Sequence, residues 1–129
     1  MMPEFYLFDD YPRFIGFRFP ASYLQLVRDG LPDIEPWGWL APYKRNSIFW
    51  ADTLKEQFPN RELVPFAKDG GSDDVACFDG ADTSGDPRVL YIHSFCSPGF
   101  ESRGVAKNFT EWLEQIEKIA KEFKATENE

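Results

Sequence analysis

Residues 62–95 contain the runs that decide the fold: Glu62-Leu63-Val64-Pro65-Phe66-Ala67, then Asp74-Val75-Ala76-Cys77-Phe78-Asp79, then Arg88-Val89-Leu90-Tyr91-Ile92-His93-Ser94-Phe95. Each is rich in β-branched, aliphatic or aromatic side chains, which fit a pleated and half-buried surface. The intervening Lys68-Asp69-Gly70-Gly71-Ser72-Asp73 and Gly80-Ala81-Asp82-Thr83-Ser84-Gly85-Asp86-Pro87 are dense in Gly, Asp and Ser. These residues supply the turn conformations that reverse a chain, so consecutive antiparallel strands in a meander are predicted.

Downstream, Phe109, Trp112, Leu113, Ile116, Ile119 and Phe123 recur at helical spacing and form one apolar stripe. Asn108 suits the N-cap of this helix and Glu111 stands three residues on, as in a capping box. Lys118, Lys121 and Lys124 favour its C-terminal end, and Ala125–Glu129 reads as a frayed polar tail. Upstream, Trp50, Leu54 and Phe58 mark a second short helix stopped by Pro59. Pro20 opens a third that carries Tyr23, Leu26 and Val27 and ends at Gly30. Between these two, Leu31–Tyr43 is broken by Pro32, Pro36, Gly38 and Pro42 and reads as a loop bearing Trp37 and Trp39. At the N-terminus, Glu4–Phe8 and Arg13–Phe19 read as two short strands joined by Asp9-Asp10-Tyr11-Pro12. The expected fold is α+β, an antiparallel sheet of about five to six strands flanked by short helices and a C-terminal helix. It forms a single domain over residues 1–124, with 125–129 as the tail.

The chain has 129 residues, 43% of them apolar and 17% aromatic, which is enough volume for one core and too little for two. No run approaches the roughly 18 apolar residues that a membrane span needs, and Met1-Met2-Pro3-Glu4 lacks a basic leader, so a cytoplasmic location is expected. Cys77 and Cys96 each lie in an apolar run and read as buried free thiols. The formal net charge of −8 disfavours direct contact with nucleic acid or an anionic membrane, because phosphate binding needs Lys and Arg to displace counterions. A basic protein is the natural partner.

Catalytic chemistry has little to stand on. There is one histidine, His93, and no Gly-x-Ser-x-Gly elbow; in a strand, the His93 ring shares a face with Tyr91 and Phe95, which suits a structural role. No Cys-x-x-Cys or His-x-x-x-His spacing gathers metal ligands, and Asp79-Gly80-Ala81-Asp82 departs from the calcium-loop pattern. Asp69, Asp73, Asp74, Asp79, Asp82 and Asp86 fall within 69–86, a window without Lys or Arg. Turn chemistry explains aspartates there, and so does an anionic surface that steers a cationic protein. Trp37 and Trp39 likewise read either as plugs at the edge of the core or as interface anchors. The candidate partner-binding residues are Trp37, Trp39, Asp69, Asp73, Asp82 and Asp86, with Asp74 and Asp79 set aside as turn caps at strand ends.

Taken together, Phe19-Pro20-Ala21-Ser22-Tyr23-Leu24, Leu63-Val64-Pro65-Phe66-Ala67 followed by Asp73–Asp79, Val89–His93 and Phe109-Thr110-Glu111-Trp112-Leu113 resemble the SMI1/KNR4 (SUKH) family over roughly residues 19–123. Many members begin with a helix where strands are expected here. The resemblance implies an α+β sheet with flanking helices, no cofactor and no catalytic residues. It further implies an immunity protein that neutralises a cognate bacterial toxin of a polymorphic-toxin or contact-dependent growth inhibition system. The alternatives are an interaction or scaffolding module of the same fold without a toxin partner, and a small hydrolase using Cys77 or His93.

Overall fold

The computed structural model describes residues 5–127. The β-branched and aromatic runs pair as expected: β2 (Leu63–Asp69), β3 (Asp74–Asp79) and β4 (Val89–His93) are consecutive antiparallel strands. They are extended on one side by β1 (Trp37–Trp39) and on the other by β5 (Ser102–Ala106), giving a five-stranded meander in the order β1-β2-β3-β4-β5. Proline is tolerated inside β2 because Pro65 sits where the register slips, pairing with Cys77 while Ala67 pairs with Ala76.

Alternation along the strands divides the core between the two faces of the sheet. Val64, Phe66, Ala76, Phe78 and Val89 lie against Tyr23 and Val27 of α1 (Ala21–Asp29) and Phe109, Trp112 and Ile116 of α3 (Phe109–Glu127). Here the Phe66 and Phe78 rings stack at 4.2 Å, and Trp112 meets the Phe66 ring edge-on at 4.7 Å. Leu63, Val75, Cys77, Leu90 and Ile92 face the other way, onto Leu54 of α2 (Lys44–Gln57) and Phe58 at its end. The start of α3 is fixed as its sequence suggests, with the Glu111 N–H donating to Asn108 Oδ1 at 3.0 Å.

Several expectations are corrected. Residues 5–19 form no strand; Glu4 lies outside the described residues. The segment is an arm with a 3-10 turn at Pro12–Phe14, whose Phe8, Tyr11 and Phe14 rings pack on one another at 4.8–5.4 Å. Its aromatics serve ring packing instead of a ladder, and Arg13 ties the arm to α2 by donating to the Ala51 carbonyl at 3.0 Å. The loop around Trp37 contains an edge strand, and a fifth strand, β5, stands where none was expected. On α3, Ile119 is exposed and Ala120 takes the buried position. Residues 125–127, expected to fray, continue α3, while 128–129 lie outside the described residues.

Candidate protein-binding surface

The groups that could support catalysis are occupied elsewhere. Cys77 is fully enclosed in β3, and burial pushes its thiol pKa far above the usual range, so the nucleophilic thiolate is suppressed. His93 Nδ1 lies 2.8 Å from Asp74 Oδ1 across the β3–β4 pair, and Cys96 Sγ donates to the His93 backbone carbonyl, not to its ring. Among the described residues no cluster of His, Cys, Asp and Glu is arranged to hold a metal ion, and no helix is long and apolar enough to cross a membrane.

The aspartates separate into two groups. Asp69 ends β2 and Asp73 lies in the β2–β3 turn, and Asp82 and Asp86 lie in the β3–β4 connection at the opposite end of β3. Six residues of strand hold the groups about 17 Å apart, roughly twice the Debye length at physiological salt. Each group also does turn chemistry. Asp69 accepts from the Gly71 N–H at 3.0 Å and from the Ser72 hydroxyl at 2.8 Å, and Asp82 accepts from the Ser84 N–H at 3.0 Å. Hydrogen bonding from Ser84 holds the Asp82 carboxyl below its ordinary range. Asp86 takes a long contact from Asn108 Nδ2 at 3.4 Å, and Asp73 lends its backbone carbonyl to the Ser94 N–H and hydroxyl. Asp74 and Asp79, set aside as caps, pair with His93 and Arg88.

The fold also brings cations to a window that has none in sequence. Arg88 bonds Asp79 at 2.8 Å, and the Arg18 guanidinium lies against Gly85. Lys68 donates to the Asp69 carbonyl at 2.6 Å and to the Ser72 carbonyl, with its ammonium 5.4 Å from the Trp50 ring centre.

Trp37 and Trp39 are 6% and 8% exposed, and both indoles join the core. They stand edge-on to Trp112 at 6.0 and 5.8 Å, and Trp39 Nε1 donates to the Pro32 carbonyl at 2.8 Å. What β1 offers outward is the wall of a groove of about 330 Å³. The wall carries Trp37, Gly38 and Trp39, and opposite it lie Tyr43 and, from α2, Asn46 and Trp50, with Lys68 and Gly70 also lining the space. Asp69 pairs with Trp37 across the strands and so lies at the same end. The structure thus gathers Trp37, Trp39, Asp69 and Asp73 at one end of the sheet and leaves Asp82 and Asp86 at the other.

The order of elements agrees with a match to the model of the SMI1/KNR4 family (SUKH-1) over residues 8–115. The chain belongs to the SMI1/KNR4 family. Comparison with curated proteins and comparison with solved structures give no match. Against the SMI1/KNR4 sheet and helices, sequence reasoning missed four aromatic side chains beside the groove. Tyr43, Phe49 and Phe95 are 60%, 53% and 62% exposed, and Trp50 is half-buried between the last two. Phe49 had one available signal: it falls off the Trp50, Leu54, Phe58 stripe, on the solvent side of the helix.

Proposed function

We propose that this SMI1/KNR4 protein is an immunity protein, which binds a cognate bacterial toxin of a polymorphic-toxin or contact-dependent inhibition system and neutralises it by occupancy. The observation that carries this reading is the family match over residues 8–115. The charge of −8 narrows the partner to a basic protein, of which a nuclease domain is the natural kind, since an enzyme that handles phosphate backbones carries Lys and Arg. Asp69 and Asp73, with the groove edge formed by Trp37 and Trp39, are proposed contacts, and Asp82 and Asp86 are proposed to add attraction at longer range. The placement of Cys77 and His93 supports inhibition without chemistry, because Cys77 is enclosed and the His93 ring, although paired with Asp74, holds no nucleophile among the described residues.

Co-purification with the product of the gene directly upstream tests the reading. A stoichiometric complex that suppresses the activity of that product is expected. Free elution of the two polypeptides, with the toxin activity intact, would refute it and leave the scaffolding alternative.

A further inference from the structure

The groove borders a larger feature. Phe49 and Trp50 meet edge-on at 5.1 Å on the outer flank of α2, and Trp50 meets Phe95, from the β4–β5 connection, at 6.1 Å. Tyr43, the N-cap residue of α2, lines the groove with Trp50. Three of these four rings are more than half exposed, so the row is a contiguous apolar surface and not a scatter of single residues.

Phe95 is the most informative of them. Its φ of +59 places a bulky L-residue in the left-handed region, where Cβ crowds the following carbonyl. The conformation is held by its own N–H, which donates to Gln57 Oε1 of α2 at 2.6 Å. The strain is not offset by burial, because the ring is left in solvent. Strained backbone that displays an aromatic ring beside other exposed rings is the pattern of a contact site.

We propose that Tyr43, Phe49, Trp50 and Phe95 form the surface that grips the partner, and that the partner inserts apolar side chains framed by lysine or arginine. The assignment rests on the immunity reading and adds an apolar centre to the contacts proposed there. The frame on this side carries an acidic excess: Glu35 lines the groove, Asp69 ends β2 and Asp73 lies in the turn beyond it, against Arg45, exposed one turn before Phe49 on the same face of α2. Lys68, a second cation there, is engaged by the carbonyls of Asp69 and Ser72 and by the Trp50 ring. A second copy of the chain is disfavoured by like-charge repulsion, since each copy carries a net charge of −8. A basic partner meets complementary charge around an apolar centre, the anatomy of a specific interface.

The test is calorimetric titration of the upstream-encoded polypeptide with wild type, with the double variant Phe49→Ala/Phe95→Asn, and with Ile15→Ser, which alters a ring-distant exposed apolar residue. Asparagine suits the left-handed backbone, so the double variant is expected to keep or raise its melting temperature while Kd weakens at least about tenfold. Ile15→Ser is expected to bind as wild type. Unchanged affinity in the double variant would overturn the assignment and leave the immunity reading intact, and equal weakening by Ile15→Ser would also overturn it. A wild-type dimer that the double variant dissociates would give the surface to a second copy. A wild type that does not bind the polypeptide would remove the immunity reading and this site with it.

Discussion

Trp112 shows at the residue scale how the core depends on single side chains. It is wholly buried between the Phe66 and Phe109 rings, and its Nε1 has no hydrogen-bond partner among the described residues. Trp112→Ala is expected to cost about 3–5 kcal/mol through lost transfer energy and the cavity left behind. Trp112→Phe should cost clearly less, since it keeps most of the volume and removes a buried unpaired donor. Denaturant unfolding of the two variants checks this; equal losses would mean that the indole N–H matters more than the packing. The two thiols make a second contrast, because Cys77 is enclosed while Cys96 is partly open. In the folded protein a thiol reagent is expected to modify Cys96 quickly and Cys77 only on unfolding, and rapid reaction of both would contradict the burial of β3.

Among the elements, the β4–β5 connection is held by Glu101, a buried carboxylate. Arg61 Nη1 donates to it at 2.7 Å and the Gly99 N–H at 2.6 Å. Burial alone would raise its pKa, but these bonds and its own backbone N–H outweigh burial and hold the carboxyl below its ordinary range. A depressed carboxyl stabilises the fold above the unfolded pKa of about 4.3 and loses that contribution as pH falls through the lower folded value. Glu101→Gln should therefore destabilise by about 1–3 kcal/mol near neutrality. The gap from wild type should narrow below about pH 4. A gap independent of pH would show that the charge of Glu101 does not contribute to stability. The same connection marks where sequence reading stopped. Strands β2 to β4 were legible because Val, Ile, Leu and Phe dominate them, whereas β5 reads Ser102-Arg103-Gly104-Val105-Ala106 and owes its extension to pairing with β4. Tyr6–Phe19 failed in the other direction, since its aromatics imitate strand composition while packing ring on ring. At the site, the indoles of Trp37 and Trp39 were legible as either core or contact, and only the fold placed them in the core. The strained exposure of Phe95 has no sequence signal, because a φ value is not written in composition.

For the whole molecule, the sheet converts one acidic window in sequence into two separate groups in space, and the groups are not equivalent. Asp69 and Asp73 share an end with the groove, while Asp82 and Asp86 lie beyond a Debye length with Arg88 and Arg18 near them. Association with a basic partner should slow as salt is added. Asp69→Asn/Asp73→Asn is expected to flatten that slope more than Asp82→Asn/Asp86→Asn, with dissociation changing less in both. Asparagine keeps an Oδ1 acceptor for the Gly71 N–H, so the turn itself should survive. Stopped-flow mixing at several ionic strengths reads the difference, and association rates and salt slopes unchanged from wild type in both variants would mean that the turns are only turns. The central claim is that this SMI1/KNR4 chain protects by binding a toxin. The most direct measurement is the viability of cells expressing the upstream-encoded toxin domain with and without this protein. The account predicts survival with wild type and with Cys77→Ala/His93→Ala, and death with Phe49→Ala/Phe95→Asn at equal expression; death with wild type, or protection lost on removing Cys77 and His93 from a still-folded protein, would contradict it.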